Sequence, residues 1–147
     1  MRGYCGIGVY YPKTVENVGT LWRSATLYGA NFIFTIGRRY RQQASDTLKT
    51  WRHVPLWTFR DFAELREHLP YDARLVCVEL SERAQDLRVF VHPERAVYLL
   101  GAEDHGIPES LLADQVIVQI PSLLPQSANV AVAGSIVLYD RFVKGEQ

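Results

Sequence analysis

Cysteine is scarce in this chain of 147 residues, and the two cysteines, Cys5 and Cys77, lie far apart. They form no Cys-x-x-Cys pair and no Cys/His spacing, so a reducing compartment is indicated and no disulfide scaffold is expected. The apolar runs are too short to cross a bilayer, and no charged and then apolar leader opens the sequence. These absences favour a cytoplasmic protein with no membrane partner.

A net charge is absent too, because 16 basic and 16 acidic residues cancel. The composition of the whole chain therefore does not indicate a polyanionic partner. One stretch departs from this balance, since residues 38–53 hold a single acid, Asp46, against five cations: Arg38, Arg39, Arg41, Lys49 and Arg52. Tyr40 and Trp51 lie among these cations, so the stretch could meet phosphates and stack on bases. A solvated loop beside a hydrophobic anchor is the alternative.

Several catalytic motifs are missing. There is no GxxxxGK[ST] loop, the glycines of "GYCGIG" stand in the wrong order for a dinucleotide fingerprint, and "AGSIV" lacks the GxSxG elbow. The four histidines show no metal-ligand spacing, so no metal site is expected: His53, His68, His92 and His105.

Strands and helices are predicted to alternate. The expected strands are "GIGVYYP", 32–36, "PLWTF", "RLVCVEL", "AVYLLGAE" and "VIVQIP", and the expected helices are one from Asn17, "FAELREHL", "PESLLADQ" and "SANVAVAGSIVLYDRFVK". Such alternation favours an α/β sheet with helices on its faces. With 48% hydrophobic residues and no convincing linker, residues 1–147 are expected to form one domain.

Capping residues indicate where two of the helices begin. Asn17 stands where an N-cap belongs, before an apolar helical face, and Asp61 with Glu64 three residues later resembles a capping box. Arg23 falls on the polar side of the first helix. Arg23 is therefore either a solvent-exposed side chain with no ligand or a side chain that binds an anion.

Three polar segments are not explained by a simple core: "NVGTLWRSA", "LLGAEDHGIP" and "IPSLLPQSAN". The last two follow strands, and ligands of open α/β sheets bind beyond the carboxyl ends of strands. Glycines at a strand end also let the backbone approach a ligand closely. Turn chemistry and helix capping could explain each segment singly, but less readily all of them together.

In this order the segments resemble the three motifs of SpoU-type RNA ribose 2′-O-methyltransferases, a group within the SPOUT superfamily. The matching residues span nearly the whole chain: Asn17, Gly19, Arg23 and Ala25, then Leu100, Gly101, Glu103, Gly106 and Ile107, then Ile120, Pro121, Ser127 and Asn129.

The resemblance implies a SPOUT-like α/β knot, with a mostly parallel sheet flanked by helices and a C-terminal trefoil knot. It implies a homodimer whose active site mixes residues of both subunits. It implies S-adenosylmethionine as cofactor, held by Leu80, Gly101, Ile120, Ser127 and Ala128. The implied catalytic cluster is Asn17, Arg23, Glu103, Ser127 and Asn129. Relatives often have Ser-Leu-Asn in the third motif, where this chain has alanine at 128, which removes apolar packing but no polar group.

The implied activity is methyl transfer to a ribose 2′-hydroxyl of RNA, with tRNA favoured over rRNA and the basic stretch 38–53 contributing to RNA binding. A guanidinium is a poor base at neutral pH. We therefore expect Arg23 to hold an RNA phosphate and stabilise the developing alkoxide, and Glu103 to orient Arg23 or its loop. A non-catalytic RNA-binding dimer and a plain structural domain are the alternatives.

Overall fold

Helices and strands alternate through most of the computed structural model, which describes residues 3–37 and 53–145. The strands are β1 (Tyr4–Tyr10), β2 (Phe32–Ile36), β3 (Leu56–Phe59), β4 (Arg74–Val78), β5 (Gln85–Asp86), β6 (Arg95–Gly101) and β7 (Val116–Gln119). The helices are α1 (Val15–Leu27), α2 (Phe62–Glu67), α3 (Glu109–Leu112) and α4 (Val130–Gly145). Short 3₁₀ turns occupy Pro70–Asp72 and Leu87–Val89. The α/β prediction is confirmed.

The seven strands form one sheet in the order β3-β2-β1-β6-β4-β7-β5, and each strand pair in it is parallel. From β1 the chain moves outward through β2 and β3, and the later strands lie on the other side of β1. The direction of strand order therefore reverses between β1 and β6, where Tyr10 lies beside Gly101. Ligands of open α/β sheets bind beyond the carboxyl ends of the strands at such a point.

Two apolar cores cover the two faces of the sheet. On one face, α1 packs through Val18, Leu21 and Trp22, and α4 packs beside it through Val137 and Leu138. On the other face, the core contains residues of α2 and α3: Phe62, Leu65 and Leu112. The strands between them are almost wholly apolar, which is typical of parallel strands buried on both faces.

The start of α1 differs from the prediction. Asn17 is not the N-cap; the cap is Thr14, whose Oγ1 accepts a hydrogen bond from the backbone N–H of Asn17 at 3.4 Å. Asn17 lies inside the first turn, and its side chain is engaged with a distant part of the chain. The side chain of Asn17 therefore forms tertiary hydrogen bonds instead of capping the helix.

The predicted cap of α2 is confirmed, since Asp61 Oδ1 accepts from the N–H of Glu64 at 2.8 Å. The return bond of the box is displaced by one residue, because Glu64 Oε2 accepts from the N–H of Arg60, at 2.6 Å. Both α2 and α3 are shorter than expected. Within 3–37 and 53–145, no helix combines the length and apolarity needed to span a bilayer.

Candidate active site

Three side chains from three separate segments meet where the strand order reverses. Glu103 Oε1 accepts hydrogen bonds from Asn17 Nδ2 at 3.0 Å and from Asn129 Nδ2 at 2.9 Å. Asn129 Nδ2 also lies 3.0 Å from Asn17 Oδ1, which accepts from it. We call these residues the Asn–Glu–Asn triad.

The sheet explains how residues so far apart in sequence come together. Asn17 follows β1, Glu103 follows β6, and these strands are parallel neighbours, so both residues emerge at the same edge. Asn129 precedes α4 and caps it, because its Oδ1 accepts from the N–H groups of Ala131 at 2.9 Å and Val132 at 3.2 Å. The triad therefore joins α1, the loop after β6 and the start of α4.

A cavity of about 420 Å³ opens beside the triad at the carboxyl ends of β4, β6 and β7. Its volume is within the usual range for cofactor sites, roughly 300–1,000 Å³. The walls combine apolar side chains such as Val78, Leu100 and Val130 with Glu103 and other polar groups. All five residues assigned to the cofactor by resemblance line it: Leu80, Gly101, Ile120, Ser127 and Ala128.

The loop after β6 folds back on itself at this cavity. Ala102 and Gly106 form an antiparallel bridge, and the N–H of Gly106 donates to the carbonyl of Ala102 at 2.9 Å. Gly106 has φ +61°, a value that favours glycine. A Cβ on Gly101 would lie 2.7 Å from the Cα of Gly106, so the tight turn also requires glycine at its base.

The sequence reasoning missed Glu79. This residue directly follows β4 and lines the cavity, and its Oε2 accepts a hydrogen bond from the N–H of Ile107 at 3.0 Å. An acid immediately after the buried run "RLVCV" was the available signal, but the interpretation of that segment singled out Leu80.

A surface ion pair ties the entry of α1 to the same loop. Lys13 Nζ lies 2.8 Å from Asp104 Oδ2, next to Glu103 in the sequence. The hydrogen bond from Lys13 lowers the pKa of Asp104 below its ordinary value. Because both side chains are about half exposed, the pair adds little to stability.

The structure does not bring Arg23 to the triad. Arg23 is exposed on α1, and six helical residues place it about 9 Å along the axis and about 240° around it from Asn17. Among the described residues, the donors to Glu103 are Asn17 and Asn129, and Arg23 is not one of them. Ser127 lies at the cavity, with Glu103.

Five cations are predicted to bind RNA. They lie outside the described residues: Arg38, Arg39, Arg41, Lys49 and Arg52.

Over the described ranges, no group of three or more His, Cys, Asp or Glu side chains could hold a metal ion.

The chain matches the model of the SpoU rRNA methylase family over residues 6–139. A tRNA (guanosine(18)-2′-O)-methyltransferase of Escherichia coli K12 is 31% identical in an alignment of 131 residues that covers 85% of this chain and 57% of that enzyme. The chain thus spans little more than half the length of this relative.

Solved structures share the fold. One, reported for the 2-OH methylation of C/U34 on tRNA, is 28% identical, has a TM-score of 0.82, and the match covers 99% of this chain and 92% of the other. The AdoMet complex of the SpoU methyltransferase AviRb from Streptomyces viridochromogenes is 18% identical with a TM-score of 0.82, over 100% of this chain and 60% of AviRb. At that identity AviRb shows the fold alone.

Proposed function

The chain belongs to the SpoU rRNA methylase family, and from that membership we propose that it is an S-adenosylmethionine-dependent RNA methyltransferase acting on a ribose 2′-hydroxyl. The observation that carries the proposal is the Asn–Glu–Asn triad at the mouth of a cofactor-sized cavity. Three motifs that are separate in sequence converge there on a single carboxylate oxygen. A fold retained only for structure would not need three polar side chains to converge on an exposed edge.

The cavity suits the proposed cofactor. Gly101 and Gly106 of the loop after β6 line it, together with apolar side chains such as Val78 and Leu100, which suit a flat base. Leu80, Gly101, Ile120, Ser127 and Ala128 would hold the cofactor. Bound S-adenosylmethionine supplies an electrophilic methyl group.

The chemistry left to the protein is to align the ribose hydroxyl and to assist loss of its proton. The triad fixes the edge of the site rigidly, since Asn17 and Asn129 each hold Glu103. We assign Ser127 to placing the ribose directly, and Asn129 to placing it through Glu103, because Asn129 Nδ2 already donates to Asn17 and Glu103. Arg23 is assigned to an RNA phosphate and to the developing alkoxide, because a guanidinium is a poor base but binds phosphate with two parallel donors. The proton then leaves through that phosphate or a water molecule.

The position of Arg23 supports a site shared between two copies of the chain. Arg23 and Leu27 are four residues apart and so lie on one face of α1. Leu27 is 67% exposed. On α4, beside α1, an apolar stripe is also exposed: Val132, Ile136, Tyr139 and Val143. We propose that a second copy covers this surface, the α1–α4 face, and that Arg23 then acts in the site of the partner.

Transfer RNA is the proposed substrate. One relative is a tRNA (guanosine(18)-2′-O)-methyltransferase, and one structural neighbour concerns C/U34 on tRNA. Ribosomal RNA is the second choice, since other neighbours are rRNA methyltransferases. We further propose that residues 1–147 form one domain containing a trefoil knot, that the stretch 38–53 contributes to RNA affinity, and that the protein acts in the cytoplasm, where tRNA is found.

The test uses labelled S-adenosylmethionine with RNA from cells that lack the modification, separated into tRNA and rRNA before nucleoside analysis. The expected result is a labelled 2′-O-methylnucleoside in tRNA for the wild type and almost none for Glu103→Gln. Glu67→Gln, an exposed acid on α2, is the control for loss of charge and should match the wild type. Label in rRNA alone would overturn the tRNA assignment, and label in neither fraction would overturn the enzymatic proposal.

A further inference from the structure

Glu79 occupies an unusual place for an acid, at the base of the loop that carries Glu103. It directly follows β4, whose neighbour in the sheet is β6, and the loop after β6 lies over it. Its side chain is partly buried, although a carboxylate favours full hydration. Specific partners must therefore replace part of the lost water.

Two backbone donors provide that replacement. Oε2 accepts from the N–H of Ile107 at 3.0 Å, and Oε1 accepts from the N–H of Leu80 at 3.2 Å. The first bond joins residues 28 positions apart, and so it fixes the end of the loop to the end of β4. Hydrogen bonds to a charged acceptor are stronger than those between neutral groups.

The two glycines of the second motif make room for this carboxylate. A Cβ on Gly101 would lie 2.6 Å from Glu79 Oε2, and a Cβ on Gly106 would lie 2.8 Å from the same oxygen. Both distances are too short for real contacts. One side of the carboxylate therefore lies against the base of the turn that Ala102 and Gly106 close.

We infer that Glu79 is a positioning residue, which holds the 101–107 loop in the conformation that forms the cavity and presents Glu103 to the triad. It fixes the loop through backbone donors and makes no bond to the triad itself. The link to cofactor binding rests on the proposed function, whereas the link to the loop rests on hydrogen bonds within the chain.

Amide hydrogen exchange of the protein without cofactor tests the first link. In Glu79→Ala, the amides of Ile107 and Leu80 should exchange at least about tenfold faster, as expected when a charged acceptor is lost. Glu79→Gln keeps one acceptor oxygen and should preserve protection at Ile107. Glu82→Gln removes an exposed acid three residues away and serves as the control. Amides of β1 report whether each variant is folded.

Calorimetry with S-adenosylmethionine tests the second link. The affinity of Glu79→Ala should fall about tenfold or more, and that of Glu82→Gln should equal the wild type. Unchanged exchange at Ile107 in a folded Glu79→Ala protein would overturn the inference, and so would faster exchange with unchanged affinity. A wild type that binds no cofactor, while exchange at Ile107 still depends on Glu79, would instead refute the proposed function and leave the loop assignment intact.

Discussion

Asn129 and Glu103 are joined by a 2.9 Å hydrogen bond from Asn129 Nδ2 to Glu103 Oε1, and the other end of the same amide caps α4. One side chain therefore has two separable tasks. Its oxygen satisfies N–H groups at the start of a helix, while its nitrogen holds the carboxylate of the triad. Substitutions that keep only one of these atoms should distinguish the tasks.

Asn129→Ser should keep the cap and lose the triad, because a serine hydroxyl can cap a helix but is too short to reach Glu103. Its melting temperature should stay close to that of the wild type while methyl transfer falls at least about tenfold. Asn129→Ala should lose both, with a further loss of about 1 kcal/mol in the free energy of unfolding. Equal stability of the two variants would show that the cap contributes nothing.

Arg23→Lys keeps the positive charge but loses the planar pair of donors. If Arg23 holds a phosphate through both donors, RNA should still bind, with reduced affinity, and turnover should fall at least about tenfold. Filter binding and single-turnover methylation measure the two effects separately. Full turnover by Arg23→Lys would contradict the assignment.

The α1–α4 face should be an interface between two copies. Ile136→Asp places a charge in the middle of that face and should convert a dimer into a monomer, as measured by sedimentation equilibrium. Val89→Asp, at a residue that is 78% exposed on the turn at 87–89, is the matched control and should remain dimeric. A wild type that sediments as a monomer would refute the interface. If Arg23 acts across it, the Ile136→Asp monomer should also lose methyl transfer.

Stability should fall below neutral pH because of His92. Its Nε2 lies 2.7 Å from Asp140 Oδ2, which can only accept, and its Nδ1 lies 2.6 Å from the hydroxyl of Tyr98. Nε2 therefore donates to Asp140, and Nδ1 of the neutral ring accepts from the hydroxyl of Tyr98. Burial lowers the pKa of His92, and the cations Arg141 and Lys144 add to this, although the hydrogen bond with Asp140 opposes it.

Because the pKa of His92 is lower in the folded state, the unfolded chain binds more protons once the pH falls through about 6.5. Urea unfolding at pH 7.5 and 5.5 should therefore show a loss of up to about 1.4 kcal/mol per pH unit from this group. His92→Gln should lose less than the wild type over that range. His68→Gln, at an exposed histidine, should show the dependence of the wild type.

The contact between α1 and α4 should not tolerate a larger side chain at Gly134. A Cβ there would lie 2.4 Å from Leu21 Cδ1 and 2.8 Å from Leu100 Cδ1. Gly134→Val should lower the free energy of unfolding by about 1–3 kcal/mol through overpacking. Gly134→Ala should cost less, because the atoms in the way are the ends of flexible side chains. Thermal melts that rank valine above alanine would contradict this packing.

Features set by neighbours in sequence were predictable. The helical face of Val18, Leu21 and Trp22, the buried strand at 32–36 and the cap at Asp61 follow from periodicity and short-range bonds, and all are present. The two-residue strand β5 was not predicted, because so short a segment carries no periodicity and owes its place to pairing with β7.

Features that depend on partners distant in the sequence were harder to predict. Asn17 satisfied every local criterion for a cap, yet its side chain is bonded to Glu103, 86 positions away. The position of Glu79 after a buried run was visible in the sequence, but its bonding partner was not, because the amide of Ile107 lies 28 positions further on. The family resemblance indicated which residues belong to the site, but the carboxylate that all three motifs share emerged only from the tertiary structure.

Helix α4 is anchored by side-chain hydrogen bonds near both of its ends. Its first turn is tied to the triad through Asn129, and its last turns are tied to the segment between β5 and β6, where Asp140 meets His92 and Lys144 donates to the carbonyl of Leu87 at 2.6 Å. A shift of α4 by one residue along its axis would move it about 1.5 Å and break the hydrogen bonds near both ends together. The segment between β5 and β6 thus helps to set the position of Asn129 along the helix axis, and damage to that segment would misalign the site.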